Sequence, residues 1–529
     1  MDPEEREDEE QRRLEFELAK PKEGNFLKRR FFRLLQRNPE SGKSNLNAFI
    51  SLLVLFLVYV LNQADRLVLA VVLPDGMRCD SNKTQDCNVV NQTTSNSSSS
   101  SSACSPGDCI DVSETGQGLL TGPAFTVVYV LAGIPLAWFS DKKSRLAVLV
   151  IGITFWSLMV LLTGFVKNFW ELLLARIGLG LGEATCNPVA YSLISDLFLP
   201  ENRATALSAY SFGIYLGGAT GYAFGALNQA VCWRWLFRSL GIVGFLMVFV
   251  VLLIIRDPGQ QKDDTVKTIK PQKSDYTLKE TAWHLVTCPP YLLLLLAGSV
   301  RNLPGYAIGG WLATFYKRDL DQDSEVYGRN VAIIVAIGGI CGAAIGGFLS
   351  DRLGKKRPEA KAYVIAVSQI LAAPTIIGTL LASNAHVSYF LLFTAYITAE
   401  TWVGVAAAIV QDVCMPAIRS QASAVYIAVI TIVGGFGPLV ISSLLESSND
   451  TLFGKCNKGV RNALVIIAPT FYVSSALLFI VVGFALKRQQ AVMREEERTY
   501  LANATDENDE LTEKEKSISL DSSGGNTHF

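Results

Sequence analysis

The sequence predicts an all-α membrane protein with twelve transmembrane helices in two six-helix pseudo-repeats. Three observations predict it. Half of the 529 residues are hydrophobic and only 18% are charged, whereas soluble domains carry about a quarter charged. The apolar residues gather into runs long enough to cross a bilayer. Charged patterns at the ends of those runs recur at a fixed spacing in the second half of the chain.

The composition excludes several classes. Mean hydropathy is +0.30, and the length exceeds what one soluble core ordinarily supports. A net charge of −1 offers no basic face for a nucleic acid. Three histidines and scattered cysteines form no metal or nucleophile constellation, so an enzyme, a metal site and a cofactor are not expected. No Walker-type phosphate loop is present to support direct drive by ATP. The first residues are acidic and polar, unlike a cleavable leader.

Crossing a hydrocarbon core of ~30 Å takes roughly 20 helical residues. Twelve runs qualify. The first six are 48–73, 118–139, 146–166, 170–192, 204–226 and 236–255. The second six are 291–315, 331–349, 362–381, 389–410, 422–445 and 464–486. Lipid offers backbone groups no hydrogen-bond partner, so these runs must be helices.

Basic residues orient the runs. Lys28, Arg29, Arg30 and Arg33 precede the first, and Lys142, Lys143 and Arg145 follow the second. Six lysines and arginines lie between the sixth and seventh, Arg352 to Arg357 follow the eighth, and Lys487 and Arg488 follow the last. If the spans alternate, all of these fall on one side and both termini are cytoplasmic. The expected organisation is a tail 1–45, a six-helix half 46–256, a Lys-rich linker 257–283, a second half 284–488 and a tail 489–529.

The loop 75–114 supports that topology by independent chemistry. It carries sequons at Asn82, Asn91 and Asn96, with a further one at Asn449 in another external loop. It also holds Cys79, Cys87, Cys104 and Cys109. Four cysteines on a non-cytoplasmic side predict one or two disulfides, whose pairing the sequence leaves open. The expected role of the loop is a glycosylated shield. Cys232 and Cys456 lie toward the same side, with their pairing also open. Cys186, Cys288, Cys341 and Cys414 are expected only to pack.

The repeat has two parts. Asp141 after the second run matches Asp351 after the eighth, 210 residues later. Asp196, Pro200 and Arg203 match Asp412, Pro416 and Arg419, and Gly218 and Gly221 match Gly434 and Gly437, each 216 later. Parallel six-span repeats build one known transporter architecture.

These loops resemble the signatures of the major facilitator superfamily, as does Arg176-Ile-Gly-Leu-Gly-Leu-Gly182 in the fourth run. Within it, Leu61-Asn62-Gln63-Ala64-Asp65-Arg66, Gly180-Leu-Gly182-Glu183-Ala184 and Ile194-Ser-Asp-Leu-Phe198 resemble the spinster branch. Gln63 departs from the aromatic residue common there. The resemblance implies secondary active transport driven by protons, with Asp65, Arg66 and Glu183 as the coupling set. It also implies lipid-like anions as substrates, lysophospholipids or phosphorylated sphingoid bases. Small organic anions are the alternative substrate class, and a non-transporting receptor or sensor is the alternative function. The membrane is expected to be plasma or endolysosomal.

Charge inside a span costs ~2.5–3.5 kcal/mol per residue, so such residues are functional candidates. Asp65 and Arg66 are adjacent and project about 100° apart, so they need not pair with each other. Arg66 is suited to an anion, and a desolvated Asp65 to taking up and releasing a proton. Glu183 follows Gly178, Gly180 and Gly182, which permit close helix approach. It is expected to be either a proton site or a partner for Arg66. Arg176 either belongs to that interior or reaches back to water. Arg301 and Glu400 are the candidates of the second half. Asp141, Arg145, Asp351 and Arg352 are expected to form gating contacts at the cytoplasmic ends.

Overall fold

The computed structural model describes residues 45–79, 109–142, 144–198, 200–255, 278–355, 357, 359–415, 418–447 and 459–523. The sequons Asn82, Asn91, Asn96 and Asn449, the cysteines Cys87, Cys104 and Cys456, and most of the linker lie outside them.

Twelve helical rods follow one another in the described residues, with a short helix Leu278–Val286 before the seventh. In the first half they are Asn45–Val72; Glu114–Thr121 with Pro123–Lys142; Arg145–Thr163; Phe169–Glu183 with Cys186–Leu197; Pro200–Ser211 with Gly213–Ala226; and Trp233–Ile254. In the second half they are Pro289–Asp319; Ser324–Ile333 continuing to Gly339–Gly354; Ala360–Leu381; Ala385–Ala399 with Trp402–Val413; Arg419–Gly435 with Gly437–Ser447; and Gly459–Ser523. Among the described residues, nine stretches are long and apolar enough to cross a bilayer, by length and composition. The second, fourth and fifth rods are outside that set; the fourth carries Glu171, Arg176 and Glu183, and the fifth is rich in glycine. The twelfth rod runs past the expected span end at 486 to Ser523.

Local chemistry marks the helix starts. Ser113, Ser144 and Asn168 each accept a hydrogen bond from a backbone N–H in the first turn of the helix they precede, which satisfies a donor the helix leaves orphaned. Glycine sets the closest approaches. A Cβ at Gly180 would meet the Phe125 carbonyl at 2.7 Å, and one at Gly182 the Trp156 backbone at 2.8 Å. The second and third helices can therefore lie against the fourth.

The packing repeats between halves. The first helix packs on the fifth, the third on the fourth and on the sixth. Correspondingly the seventh packs on the eleventh, the ninth on the tenth and on the twelfth. The halves meet through the fifth and eighth helices and through the second and eleventh, another pair of equivalents. One core fills the first half, from Leu52 to Ile255, and two fill the second.

One end of the bundle carries a disulfide between Cys79 and Cys109, which resolves one pairing that the sequence left open; Cys232 is also in a disulfide. Cys186, Cys288, Cys341 and Cys414 are free. Next to the Cys79–Cys109 bridge, the Cys79 N–H donates to the Ile110 carbonyl (3.0 Å) and the Ile110 N–H to the Met77 carbonyl (2.7 Å). At this disulfide end the Gln117 amide donates to the Thr314 hydroxyl (2.9 Å), and Trp311 Nε1 donates to the Pro438 carbonyl (2.9 Å). The second and eleventh helices pass so closely here that a Cβ on Gly122 would run into the Gly435 carbonyl oxygen.

Candidate functional site

Arg66 sits deep in the first helix, and its Nε donates to Glu183 Oε2 on the fourth at 2.8 Å. Its Nη2 donates to Asn62 Oδ1, one turn earlier, at 3.2 Å. The guanidinium lies 4.7 Å from the centre of the Phe125 ring and 4.6 Å from that of Tyr129, close enough for cation–π attraction. The second helix thus supplies an aromatic clamp that holds the fork in place. Glu183 ends the first segment of the fourth helix, and its other oxygen, Oε1, has no hydrogen-bond partner among the described residues. Asp65 is buried and takes no part in an ion pair among the described residues. Arg176 does not reach water; it is buried, and its Nη1 donates to the Asp65 carbonyl at 3.3 Å.

The second half contains the counterpart. Arg301 of the seventh helix donates from Nη2 to the Ala399 carbonyl at 2.7 Å. The same nitrogen lies 3.6 Å from Glu400 Oε1. Trp402 and Tyr472 flank its guanidinium at 5.0 and 4.9 Å. Each half therefore pairs an arginine of its first helix with a glutamate of its fourth, and sets both among aromatic rings.

The two pairs differ in which member is accessible. In the first, the Arg66 side chain is 18% exposed and Glu183 0%. In the second, Arg301 is 1% exposed and Glu400 23%. Glu400 follows Glu183 by 217 residues rather than 216. One extra residue turns a helical side chain by about 100°, so the second glutamate faces a different direction from the first. The more exposed member is therefore the cation in one half and the anion in the other. Tyr215 of the fifth helix donates to Glu400 Oε2 at 3.4 Å, across the boundary between halves.

At the end opposite the disulfide, Arg145 pairs with Asp196 of the fourth helix; the side chain of Asp141 lies outside the described residues. The second half repeats this pair as Lys361 with Asp412 at 2.6 Å, both partners 216 residues later. Asp351 and Arg352 are exposed and form no ion pair among the described residues. The sequence pattern had marked Asp196 and Asp412 as equivalent without assigning them partners.

Sequence reasoning missed Phe125, Tyr129 and Asn62 around Arg66. It also missed the chain in which Tyr210 donates to Asn187 Oδ1 (2.9 Å) and Asn187 Nδ2 donates to the Tyr129 hydroxyl (3.0 Å). Single aromatic residues within apolar runs carry no signal that separates them from packing.

Comparison with known proteins gives a concordant result. Residues 55–438 match the family model of the Major Facilitator Superfamily. The chain is 24% identical over 373 residues to an MFS-type efflux pump of Mycolicibacterium smegmatis, covering 70% of this chain and 84% of that one. It is 26% identical over 460 residues to Protein spinster homolog 1 of Xenopus laevis, covering 81% and 79%. Among solved structures, it is similar to a bacterial homologue of the human lysosomal transporter spinster, in an inward-facing and unoccupied conformation. That TM-score is 0.66 at 22% identity, with 84% of this chain and 97% of that one covered. With twelve rods in two equivalent halves and an arginine–glutamate pair at the heart of each, the chain belongs to the Major Facilitator Superfamily, as a multi-pass membrane transporter of the spinster type and not an enzyme.

Proposed function

We propose that the protein is a proton-coupled transporter of lysolipids whose head group carries both charges, working by alternating access. The observation that carries this reading is the inverted accessibility of the two ion pairs. A phosphate would replace Glu183 on Arg66, whose planar fork suits it, and a ligand ammonium would approach Glu400. Lysophospholipids and phosphorylated sphingoid bases can both meet that demand, and a small organic anion offers Glu400 no cation beyond Arg301.

The same geometry supplies a route to proton coupling. Glu183 is fully buried. Once an anion takes Arg66, a charged Glu183 would be left unpaired in an apolar interior, a state costly enough that it takes up a proton instead. Anion and proton then bind cooperatively, and the coupling is reciprocal. Asp65, buried one residue away, is the second candidate carrier.

The test is uptake into proteoliposomes under an imposed pH gradient, with lysophospholipids, a phosphorylated sphingoid base and a simple organic anion as substrates. Accumulation of the lipids and not the organic anion is expected. Asp65→Asn should abolish gradient-driven accumulation while facilitated equilibration persists. Unchanged pH dependence in that variant removes Asp65 as a proton carrier, and equal uptake of the organic anion removes the head-group assignment.

The basic loops support cytoplasmic termini, and with them an external or lumenal disulfide end, in a plasma or endolysosomal membrane. Glycosidase treatment should then increase gel mobility, and replacing Asn82, Asn91 and Asn96 together should remove most of that shift. Reactivity of these sites only from the cytoplasmic side would reverse the topology.

A further inference from the structure

The disulfide end holds a cluster of charges that the transport site does not use. Glu114 opens the second helix. Its Oε2 lies 3.0 Å from Arg78 Nη1, just beyond the first helix, and its Oε1 accepts from Arg318 Nη1 of the seventh helix at 3.0 Å. The next residue extends the link, since the Thr115 N–H donates to Glu446 Oε1 of the eleventh helix at 3.0 Å. Arg78 is held in place because Cys79, its neighbour, is bonded to Cys109. Arg78 and Glu114 belong to the first half; Arg318 and Glu446 belong to the second. Below them, Gln117 and Thr314 make a further bond between halves.

We propose that Glu114 is the electrostatic latch of a gate at the disulfide end: its pair with Arg318 joins the two halves when that end is shut and must break for it to open. Alternating access requires the halves to separate at this end in part of the cycle. Arg318 is the only cation of the second half with an ion pair to Glu114 among the described residues. The disulfide-anchored Arg78 keeps Glu114 in position without crossing the boundary.

The latch is built to hold in acid. Burial alone would raise the Glu114 carboxyl, but Arg318 and Arg78 outweigh it and hold the group below its ordinary value. The facing groups are Arg78, Arg318 and Glu446; on the adjacent fourth helix, Glu171 is engaged by the Lys167 N–H and the Asn168 side chain. Because the folded value is depressed, the contribution of Glu114 is fully present above the ordinary glutamate range of about 4.3 and is lost only as pH falls below it. Mild acidity, of the kind found in an endolysosomal lumen, leaves the latch closed.

The experiment uses the full chain in nanodiscs, with Cys186, Cys288, Cys341 and Cys414 replaced by alanine and the disulfides intact. Spin labels are placed at Asp111→Cys in the first half and Ser443→Cys in the second, both exposed positions. The otherwise wild-type protein is expected to give one short distance at pH 7 and at pH 5. Glu114→Gln should move the open-to-shut ratio by roughly tenfold toward a longer distance at both pH values, as loss of a charged hydrogen bond implies. Arg318→Gln should do the same, because it removes the crossing arm while sparing the pair with Arg78. Glu114→Asp should restore much of the short population. If Glu114→Gln fails to fold, Arg318→Gln decides. Short distances unchanged in Arg318→Gln, or a wild-type gate that already opens between pH 7 and pH 5, overturn the proposal. No substrate is present in this measurement, so its failure is distinguishable from failure of the proposed function.

Discussion

Arg66→Ala is expected to abolish transport and to destabilise the protein by about 3–5 kcal/mol, the range for breaking a buried ion pair by removing one partner. The cause lies in what remains. Glu183, 0% exposed, would be left without Arg66 as an orphaned charge that is relieved only by taking up a proton, and its other oxygen already has no hydrogen-bond partner among the described residues. Adding Glu183→Gln to Arg66→Ala removes that orphaned charge. The double variant should therefore recover most of the stability and none of the transport. Arg66→Lys keeps the charge but loses the bidentate fork and the stacking on Phe125 and Tyr129, so binding should fall further than stability. Thermal unfolding and ligand binding, measured on the wild type, Arg66→Ala, Glu183→Gln and the double variant, complete the cycle, with Arg66→Lys measured beside them. Full substrate affinity in Arg66→Lys, beside strong coupling in stability, would leave a purely structural pair.

Gly122→Val is expected to cost about 1–3 kcal/mol of the shut state at the disulfide end, by overpacking. That moves the balance between access states roughly ten- to hundredfold. The side chain would be driven into the Gly435 carbonyl, a backbone atom that cannot rotate away. The clash lies between the second and eleventh helices, which belong to different halves, so each half should still fold. Transport should fall steeply, and the spin-label distance across the disulfide end should lengthen without any loss of helix signal. A normal transport rate in a well-folded Gly122→Val protein would mean that this contact is not needed for turnover.

The architecture is legible in the sequence wherever one strong physical demand governs many residues. Lipid requires continuous apolar helices, so twelve runs stand out and the rods form around them. Duplication left Asp196 and Asp412 at a measurable spacing, and the structure pairs both with basic residues at that same spacing, Arg145 and Lys361. Arg66 and Glu183 are visible because charge is rare in such surroundings, and their pairing was one of two readings the residues allowed. The difference between Glu183 and Glu400 is also visible, as a one-residue phase shift. What could not be read is contact between distant segments with no compositional mark. Glu114 stands at the boundary of a polar loop, where a carboxylate is unremarkable, and its partner Arg318 is 204 residues away. Tyr129 looks like any aromatic residue in an apolar run until the fold brings it against Arg66.

The partition of the cores bears on how the chain is made. Among the described residues, the buried cluster of the first half draws on none beyond Ile255. By contrast, the cluster of the second half that includes Trp311 draws on Val71 and Tyr222. The amino-terminal core has all of its residues while the remainder is still being synthesised, whereas one of the two carboxy-terminal cores also needs residues of the earlier half and the other does not. Synthesis from the amino terminus thus delivers the complete first core before the Trp311 cluster has all of its residues.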